Sequence, residues 1–331
     1  KKMANENNSG KLTKANIISI VGLVLLFSFT FLGHSFKSGG EMGWDILVAV
    51  AITGLAAFAL WFLVKAKGAE NQLEKWRIIE ISTLVAYVVV VIPLSFCGGV
   101  TNFFAANADK AIYKDKAHND IAKIDSVFSQ YENFEKDALE KTRTGLGNSV
   151  GMGMSRSSEL VTYMEHNSIK PTRTSVDNFV EIQEGNVLGT QYEQYKKQYK
   201  AERDAIINTI DSWNVIQIPS QAKLIEDLAV QTSKWLTERS ASAKLPLVKN
   251  DSMSRAYTIK LSNQVMQYQV EGGIENLEFR KAIMSAGGMN ITSILFLIIV
   301  HMLILLNYFV AYRTFTLGLS KNPNNDGGVT L

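Results

Sequence analysis

Four long apolar segments constrain this chain more than any other feature. They are nearly free of charged residues, and they comprise Ile17–Leu32, Ile46–Val64, Ile78–Cys97 and Ile291–Tyr312. Each approaches the roughly 20 residues that an α-helix needs to cross a hydrocarbon core about 30 Å thick. Because backbone groups in such a core must be hydrogen-bonded within the chain, helices are the expected structure. The sequence therefore predicts a mainly α, polytopic membrane protein with about four transmembrane helices.

Short basic segments predict how the chain is oriented. Lys11 and Lys14 precede the first apolar segment, which is longer than the roughly 7 to 15 residue core of a signal peptide and is therefore predicted to be a retained anchor. Further basic residues lie at 65–77 and after Tyr312, whereas the loop at 33–45 carries only Lys37. The positive-inside rule then predicts a multi-pass membrane protein with both termini cytoplasmic and the large domain on the opposite side.

The apolar segments divide the chain into three predicted regions. Residues 1–97 form an N-terminal three-span region, residues 98–290 form an exported helical-bundle domain, and residues 291–331 form the last span with a short cytoplasmic tail. The large region mixes acids and bases almost evenly, so it lacks the clustered Lys and Arg of a nucleic-acid groove. No nucleic-acid partner is predicted.

Two apolar stripes predict a pair of long antiparallel helices in the large region. The first runs through residues 121–138 at spacings of three and four, and its members are Ile121, Ile124, Phe128, Tyr131, Glu135 and Ala138. The glycine-rich run at 145–153 predicts a flexible loop after it. The second stripe contains Tyr192, Tyr195 and Tyr199, and Thr190 with Glu193 predicts a capping box at its start.

The remainder of the large region also reads as helical. Pro219 predicts the start of a new helix, and four apolar residues predict another helical stripe before Gly272, namely Tyr257, Leu261, Val265 and Tyr268. A last helix is expected to run from Ile274 toward the final apolar segment. Pro93 predicts a kink near the end of the third span.

The sequence gives no support for catalysis, a metal site or a cofactor. Its histidines have no metal-ligand spacing, its single cysteine excludes an intrachain disulfide, and the glycine run lacks the Gly-Lys-Ser/Thr of a phosphate loop. No nucleophile or acid–base signature is present. The chain is expected not to be an enzyme and to need no cofactor.

Small and polar residues within the apolar segments are candidates for helix packing or for a subunit interface. Ala49, Thr53 and Ala57 repeat at four-residue spacing, which lets helix backbones approach closely in lipid. Contact with another subunit and packing within the chain are both open at this point. His301 and Asn307 lie in the last segment, where a polar residue serves either as a proton relay or as an interhelix hydrogen-bond partner. We favour the structural role, and we count the three tyrosines of the second stripe among the same candidates.

The layout of the chain resembles a known family. Three early spans, a basic loop that ends in Lys75-Trp76-Arg77, a large domain and a closing span are similar to TssN, a component of subtype-iii type VI secretion systems. The resemblance covers the whole layout and includes no diagnostic motif. It implies a structural subunit of the trans-envelope complex in the bacterial inner membrane, with the large domain in the periplasm. The implied partners are further copies of the chain in a homo-oligomer, the bilayer, and other membrane and periplasmic subunits.

Two other functions remain open from the sequence. The chain could be a membrane sensor whose helical bundle binds a ligand and passes a shift through the last span. It could also resemble the polysaccharide chain-length regulators, in which a periplasmic coiled domain lies between two spans. The two extra N-terminal spans and the lack of a proline-rich approach to the last span count against that second reading.

Overall fold

The computed structural model of the protein divides into two compact units. It describes residues 2–68, 73–153, 156–249, 258–270, 274–288 and 290–311. One unit comprises residues 1–108 and 286–331 and is called the span unit below. The other comprises residues 109–285 and is called the helical domain. The boundary after the third span lies at 108/109, because residues 98–108 continue from that span and belong to the span unit. The second boundary lies at 285/286.

The span unit contains the four predicted long apolar helices. Its helices are α1 (Lys2–Ser38), α2 (Met42–Gly68), α3 (Leu73–Ala86), α4 (Ile92–Ser95), α5 (Thr101–Ala108) and α12 (Ile291–Val310). Four stretches within the described residues are long and apolar enough to cross a membrane, namely Lys14–Ser38, Met42–Lys67, Lys75–Ser95 and Ile291–Val310. The expectation of four such helices is confirmed, and this part of the chain is compatible with a membrane protein.

Helix α1 packs against both α2 and α12. Leu26 is fully buried where these helices meet, in a cluster that also includes Ala56 of α2 and Val300 of α12. At Gly22 a Cβ atom would lie 2.9 Å from the backbone nitrogen of Ile304. Close approach of α1 and α12 therefore depends on a residue that has no side chain.

The third span departs from regular α-helix at its end. Two π-helical segments, Tyr87–Val91 and Phe96–Val100, flank α4. Pro93 lies at the start of α4, directly after the first π-helical segment. The non-helical backbone occurs later, at Gly99, whose φ is +97°. The predicted kink is present, but it lies six residues after Pro93, because glycine adopts this conformation without steric cost.

The helical domain is built around one long helix. Its helices are α6 (Lys110–Val150), α7 (Ser158–His166), α8 (Arg173–Leu188), α9 (Thr190–Asp211), α10 (Ile218–Ser240) and α11 (Phe279–Ser285), with a short 3₁₀ turn at Ile274–Asn276. With 41 residues, α6 is about 60 Å long. Pro219 lies in the first turn of α10, as the sequence predicted.

The loop predicted at 145–153 is wrong over most of its length. Helix α6 continues through Gly145 and Gly147 and ends at Val150. Thr142, Leu146 and Ser149 are buried on the face that carries the first apolar stripe. Burial of this face outweighs the cost of about 1 kcal/mol that each glycine adds to a helix.

Aromatic side chains join α6 to α9 in the predicted antiparallel arrangement. Phe128 contacts Tyr199 with ring centroids 4.6 Å apart, and Tyr131 stacks on Tyr192 at 5.5 Å. Later residues of α6 thus meet earlier residues of α9, so the two helices run in opposite directions. Glu132 of α6 follows the same order, because it accepts a hydrogen bond from Tyr192 at 2.7 Å.

Two predicted helices near the end of the domain are wrong. The stripe that contains Leu261 and Val265 belongs to strand β2 (Thr258–Val265), which pairs antiparallel with β1 (Pro246–Lys249). Tyr257 lies outside the described residues. The helix expected from Ile274 is only the 3₁₀ turn, followed by α11 and by a break before α12.

The predicted capping box at the start of α9 is also wrong. The N-cap residue is Gly189, and no side chain caps this helix. The Gly189 carbonyl accepts hydrogen bonds from the N–H groups of Tyr192 and Glu193, at 2.9 and 3.2 Å. Thr190 is therefore the first residue of the helix, which moves Glu193 out of capping position.

Candidate functional site

The polar side chains of the span unit form two hydrogen-bonded pairs between α12 and the third span. The Tyr87 hydroxyl and His301 Nδ1 lie 2.8 Å apart, and both residues are buried. The Tyr308 hydroxyl donates to Glu80 Oε1 at 2.7 Å, also within the packed interior. Both members of the second pair lie seven residues from those of the first, one heptad along each helix. We call these two pairs the polar ladder.

The hydrogen bonds of the polar ladder can fix the relative placement of the two helices. A tyrosine hydroxyl can donate or accept, so it matches either an imidazole nitrogen or a carboxylate. Buried polar groups cost free energy unless they are hydrogen-bonded, and in an apolar medium each pair therefore favours one relative placement of the helices. His301 Nε2 is buried and lacks a partner within the described part of the chain.

Two further contacts reinforce the same end of α12. Ser19 of α1 donates to the Leu303 carbonyl and accepts from the Asn307 N–H, each at 3.2 Å. Lys67 of α2 donates to the Tyr308 carbonyl at 2.6 Å and lies over the Tyr308 ring. The buried side-chain oxygen of Asn307 has no hydrogen-bond partner in the described ranges. Helices α1, α2 and α3 thus all bind α12 through polar groups.

The small-residue stripe of α2 lies toward the inside of the span unit. Ala49 is fully buried, as is the neighbouring Ala56, while Thr53 and Ala57 are half-buried. The Thr53 hydroxyl has no hydrogen-bond partner in the described ranges. This placement favours packing within the chain over contact with another subunit for Ala49.

The end of the third span is in direct backbone contact with α1. A Cβ atom on Gly33 would lie 2.0 Å from the carbonyl oxygen of Gly99, so the two backbones are in direct contact. Beside this crossing, His34 Nδ1 and Asp45 Oδ1 are 2.7 Å apart, and Asp45 is fully buried. The sequence reasoning missed this contact, because nothing in either segment alone marks its partner.

The three tyrosines of α9 line the core of the helical domain. Tyr192 and Tyr199 are almost fully buried, and burial raises the pKa of both phenols well above the ordinary value. Tyr195 is half-buried and stacks on Trp235 with centroids 4.1 Å apart. All three therefore serve helix packing inside the domain.

Ion pairs surround this aromatic layer. Arg203 of α9 binds both carboxylate oxygens of Asp125 at 3.1 Å. Lys196 and Tyr192 both donate to Glu132 of α6. Burial alone would raise the pKa of Glu132, but these hydrogen bonds and the Lys196 charge outweigh it and lower the pKa.

A buried carboxylate of α6 binds the start of α11. Asp120 of α6 is 1% exposed, and its Oδ2 accepts hydrogen bonds from the N–H groups of Glu278 and Phe279, both at 2.7 Å. These are the first donors of α11, which a negative charge stabilises. Asp120 thereby ties the end of the helical domain to its beginning.

Within the described residues, no group of three or more His, Cys, Asp or Glu side chains could hold a metal ion. Comparison with known protein families, with curated proteins and with solved structures found no match to this chain.

Proposed function

We propose that this chain is a structural subunit of a membrane-anchored, trans-envelope secretion complex, similar to the TssN component of type VI secretion. In this role the span unit fixes the chain in the inner membrane, with both termini cytoplasmic. The helical domain lies in the periplasm and binds other subunits. The chain acts as an oligomeric scaffold and not as an enzyme.

The polar ladder is the observation that carries this proposal. Its ionisable side chains, Glu80 and His301, are each hydrogen-bonded to a tyrosine of the facing helix. The helices that it joins are those through which the chain enters and leaves the helical domain. A subunit that transmits force between a membrane and an envelope assembly needs these two helices to keep a fixed position relative to each other.

The shape of the domain core gives further support. Helix α6 carries buried residues from Tyr113 to Ser149, so one continuous helix supports the whole length of the domain. Its contacts with α9 combine aromatic packing with the Asp125–Arg203 and Glu132–Lys196 ion pairs. A rigid element of this kind suits a spacer between subunits.

Purification from native membranes in mild detergent tests the scaffold against its main rival. A scaffold should bring down a constant-stoichiometry set of envelope proteins, quantified by mass spectrometry. A sensor should instead bring down a signalling enzyme at the cytoplasmic side. Recovery of the chain with such an enzyme and without other envelope subunits would contradict the proposal.

Labelling with a membrane-impermeant thiol reagent tests the proposed orientation. In a Cys97→Ser background, a cysteine at Lys200 should be labelled from the periplasm, and a cysteine at Lys75 should be protected until the membrane is permeabilised. Lys200 is exposed on α9, and Lys75 is exposed at the start of the third candidate span. Labelling of both positions from the periplasm would exclude the four-span arrangement.

A further inference from the structure

One buried carboxyl group of the helical domain has no counter-charge among the side chains that the structure describes. Glu135 lies on α6 with no exposed surface, and neither carboxylate oxygen has a hydrogen-bond partner of good geometry among the described residues. An ionised carboxylate in such a site is strongly disfavoured, because nothing replaces the water that it loses. The group must therefore bind a proton, or the structure around it must open.

The groups around Glu135 connect it to a short segment at 266–270, which we call the strap. The Ser240 hydroxyl at the end of α10 lies beside the carboxyl. The same hydroxyl accepts a hydrogen bond from the Tyr268 N–H at 2.8 Å, and Gln267 donates to the Thr237 carbonyl at 3.3 Å. The strap follows β2 and is thus attached to the core at the point where Glu135 is buried.

In the described part of the chain, bases on the helices that pack around α6 donate to other groups, and Arg239 Nε is buried without a hydrogen-bond partner. Arg239 of α10 donates to the Gln191 side chain and to the Gly185 carbonyl, and its charge acts on Tyr131. Other bases pair with other acids: Lys196 of α9 with Glu132, Arg203 of α9 with Asp125, and Arg280 of α11 with Glu226. On α8 the buried polar group is the uncharged Gln183, which accepts from the Lys244 N–H. Burial raises the pKa of the Tyr131 phenol, so this neighbour supplies no charge, and the Tyr268 hydroxyl donates to the Val127 carbonyl at 3.4 Å.

We propose that Glu135 is a proton-binding switch, which keeps the strap on the core while the carboxyl is protonated and releases the strap when the carboxyl ionises. A groove of about 640 Å³ is lined by the strap residues Met266, Gln267 and Gln269 together with Phe134 of α6, the neighbour of Glu135 in the chain. Displacement of the strap would open Glu135 to water from this groove.

The sign of the effect follows from burial. Burial raises the pKa of Glu135 from 4.5 to about 7, and the Ser240 hydroxyl offsets only part of this change. A carboxyl exposed by strap opening has an ordinary pKa, so between about pH 4.5 and 7 it loses its proton only in the open state. The closed state is therefore fully favoured below about pH 4.5 and loses stability progressively as pH rises through 7. Between pH 6 and 8 these two pKa values shift the equilibrium toward opening by about tenfold.

Hydrogen exchange measured by mass spectrometry on the full chain in detergent tests this switch. After correction for the intrinsic pH dependence of exchange, we expect amides of the strap to exchange about tenfold faster at pH 8 than at pH 6. In Glu135→Gln, which keeps the shape and cannot ionise, the same amides should show no such dependence. Glu135→Met provides a second variant without a titratable group.

Glu132→Gln is the matched control, because Glu132 lies one turn away from Glu135 and is already paired with Lys196. It should retain the pH dependence of the wild type. A pH-independent strap in the wild type would overturn the proposal. So would a strap whose pH dependence persists in both Glu135 variants.

Discussion

The span unit and the helical domain bury polar side chains under different conditions. In the span unit, Tyr87 with His301 and Glu80 with Tyr308 join helices that also pack through an apolar cluster. In the helical domain, aromatic stacking supplies the contact between α6 and α9, and the ionised groups lie around its edge. Two acids of α6 are buried in this domain: Asp120 accepts hydrogen bonds from two backbone N–H groups, whereas the Glu135 carboxylate oxygens have no hydrogen-bond partner among the described residues.

In the proposed placement the span unit lies in lipid and the helical domain lies in water, and this explains the difference. Association of helices in lipid gains little from the hydrophobic effect, so close packing and hydrogen bonds decide it. In water the burial of aromatic surface dominates, and polar groups add specificity. Substitutions of glycine and of hydroxyl groups should therefore affect the span unit, whereas loss of aromatic volume should affect the helical domain.

The largest expected effect is Tyr131→Ala in the helical domain. Tyr131 is fully buried, stacks on Tyr192 and donates to the Val187 carbonyl at 3.1 Å. Removing an aromatic ring from a core costs about 4 kcal/mol of unfolding free energy. Denaturant unfolding of the full chain in detergent, followed by tryptophan fluorescence, measures it. Tyr131→Phe should cost only about 1 kcal/mol, and equal effects of the two variants would contradict an aromatic core.

The next effect is expected at the glycine crossing of the span unit. In Gly33→Ala the new methyl group would overlap the backbone at Gly99, so the two segments must separate, at a cost of about 3 kcal/mol. Thermal unfolding in detergent should show the loss. Gly54→Ala on α2 is the matched control, because a Cβ atom there meets nothing within 4 Å. A Gly33→Ala protein as stable as Gly54→Ala would exclude this contact.

Asp120→Ala should have an intermediate effect. It removes the acceptor for the Glu278 and Phe279 N–H groups, at a cost of about 2 kcal/mol. Faster hydrogen exchange in α11 should accompany the lower stability. Asp137→Ala on the same helix is the control, because Asp137 is exposed and its ion pair with Lys141 is worth little. Unchanged exchange in α11 would show that Asp120 does not hold the return segment.

The smallest effect is expected for the polar ladder. Tyr87→Phe removes one hydroxyl and leaves the ring in place, and interhelix hydrogen bonds in membranes contribute about 0.6 kcal/mol each on average. A double-mutant cycle with His301→Gln, read out by unfolding in detergent, isolates the pair. Exactly additive effects would mean that the two side chains do not interact in the protein.

The sequence predicted those elements that a single strong pattern marks. Uniform apolarity and length identified the four long helices, and three-and-four spacing identified α6 and α9. Strand β2 was missed because residues four apart share a face in a strand as well as in a helix, so Leu261 and Val265 fit both. The glycines at 145–153 predict a loop from their low helix propensity. In the folded domain, burial of Thr142, Leu146 and Ser149 outweighs that propensity and continues α6 past Gly145.

The candidate site was only partly predictable, for a related reason. His301 was recognisable as a polar residue in an apolar segment, but its partner Tyr87 lies 214 positions earlier. The equal spacing of Glu80 to Tyr87 and of His301 to Tyr308 was present in the sequence and could have suggested the ladder. For Glu135 the stripe predicted burial, whereas the lack of a counter-charge depends on where Arg239 points in the folded domain.

Replacement of the intramembrane imidazole tests the central claim most directly. His301→Gln keeps the capacity to hydrogen-bond with Tyr87 and abolishes titration, so a scaffold should tolerate it. In cells that carry this variant, we expect the envelope complex to copurify at wild-type stoichiometry and to retain near-normal secretion activity. Normal assembly with loss of activity would contradict the scaffold and would indicate a proton-coupled role for His301.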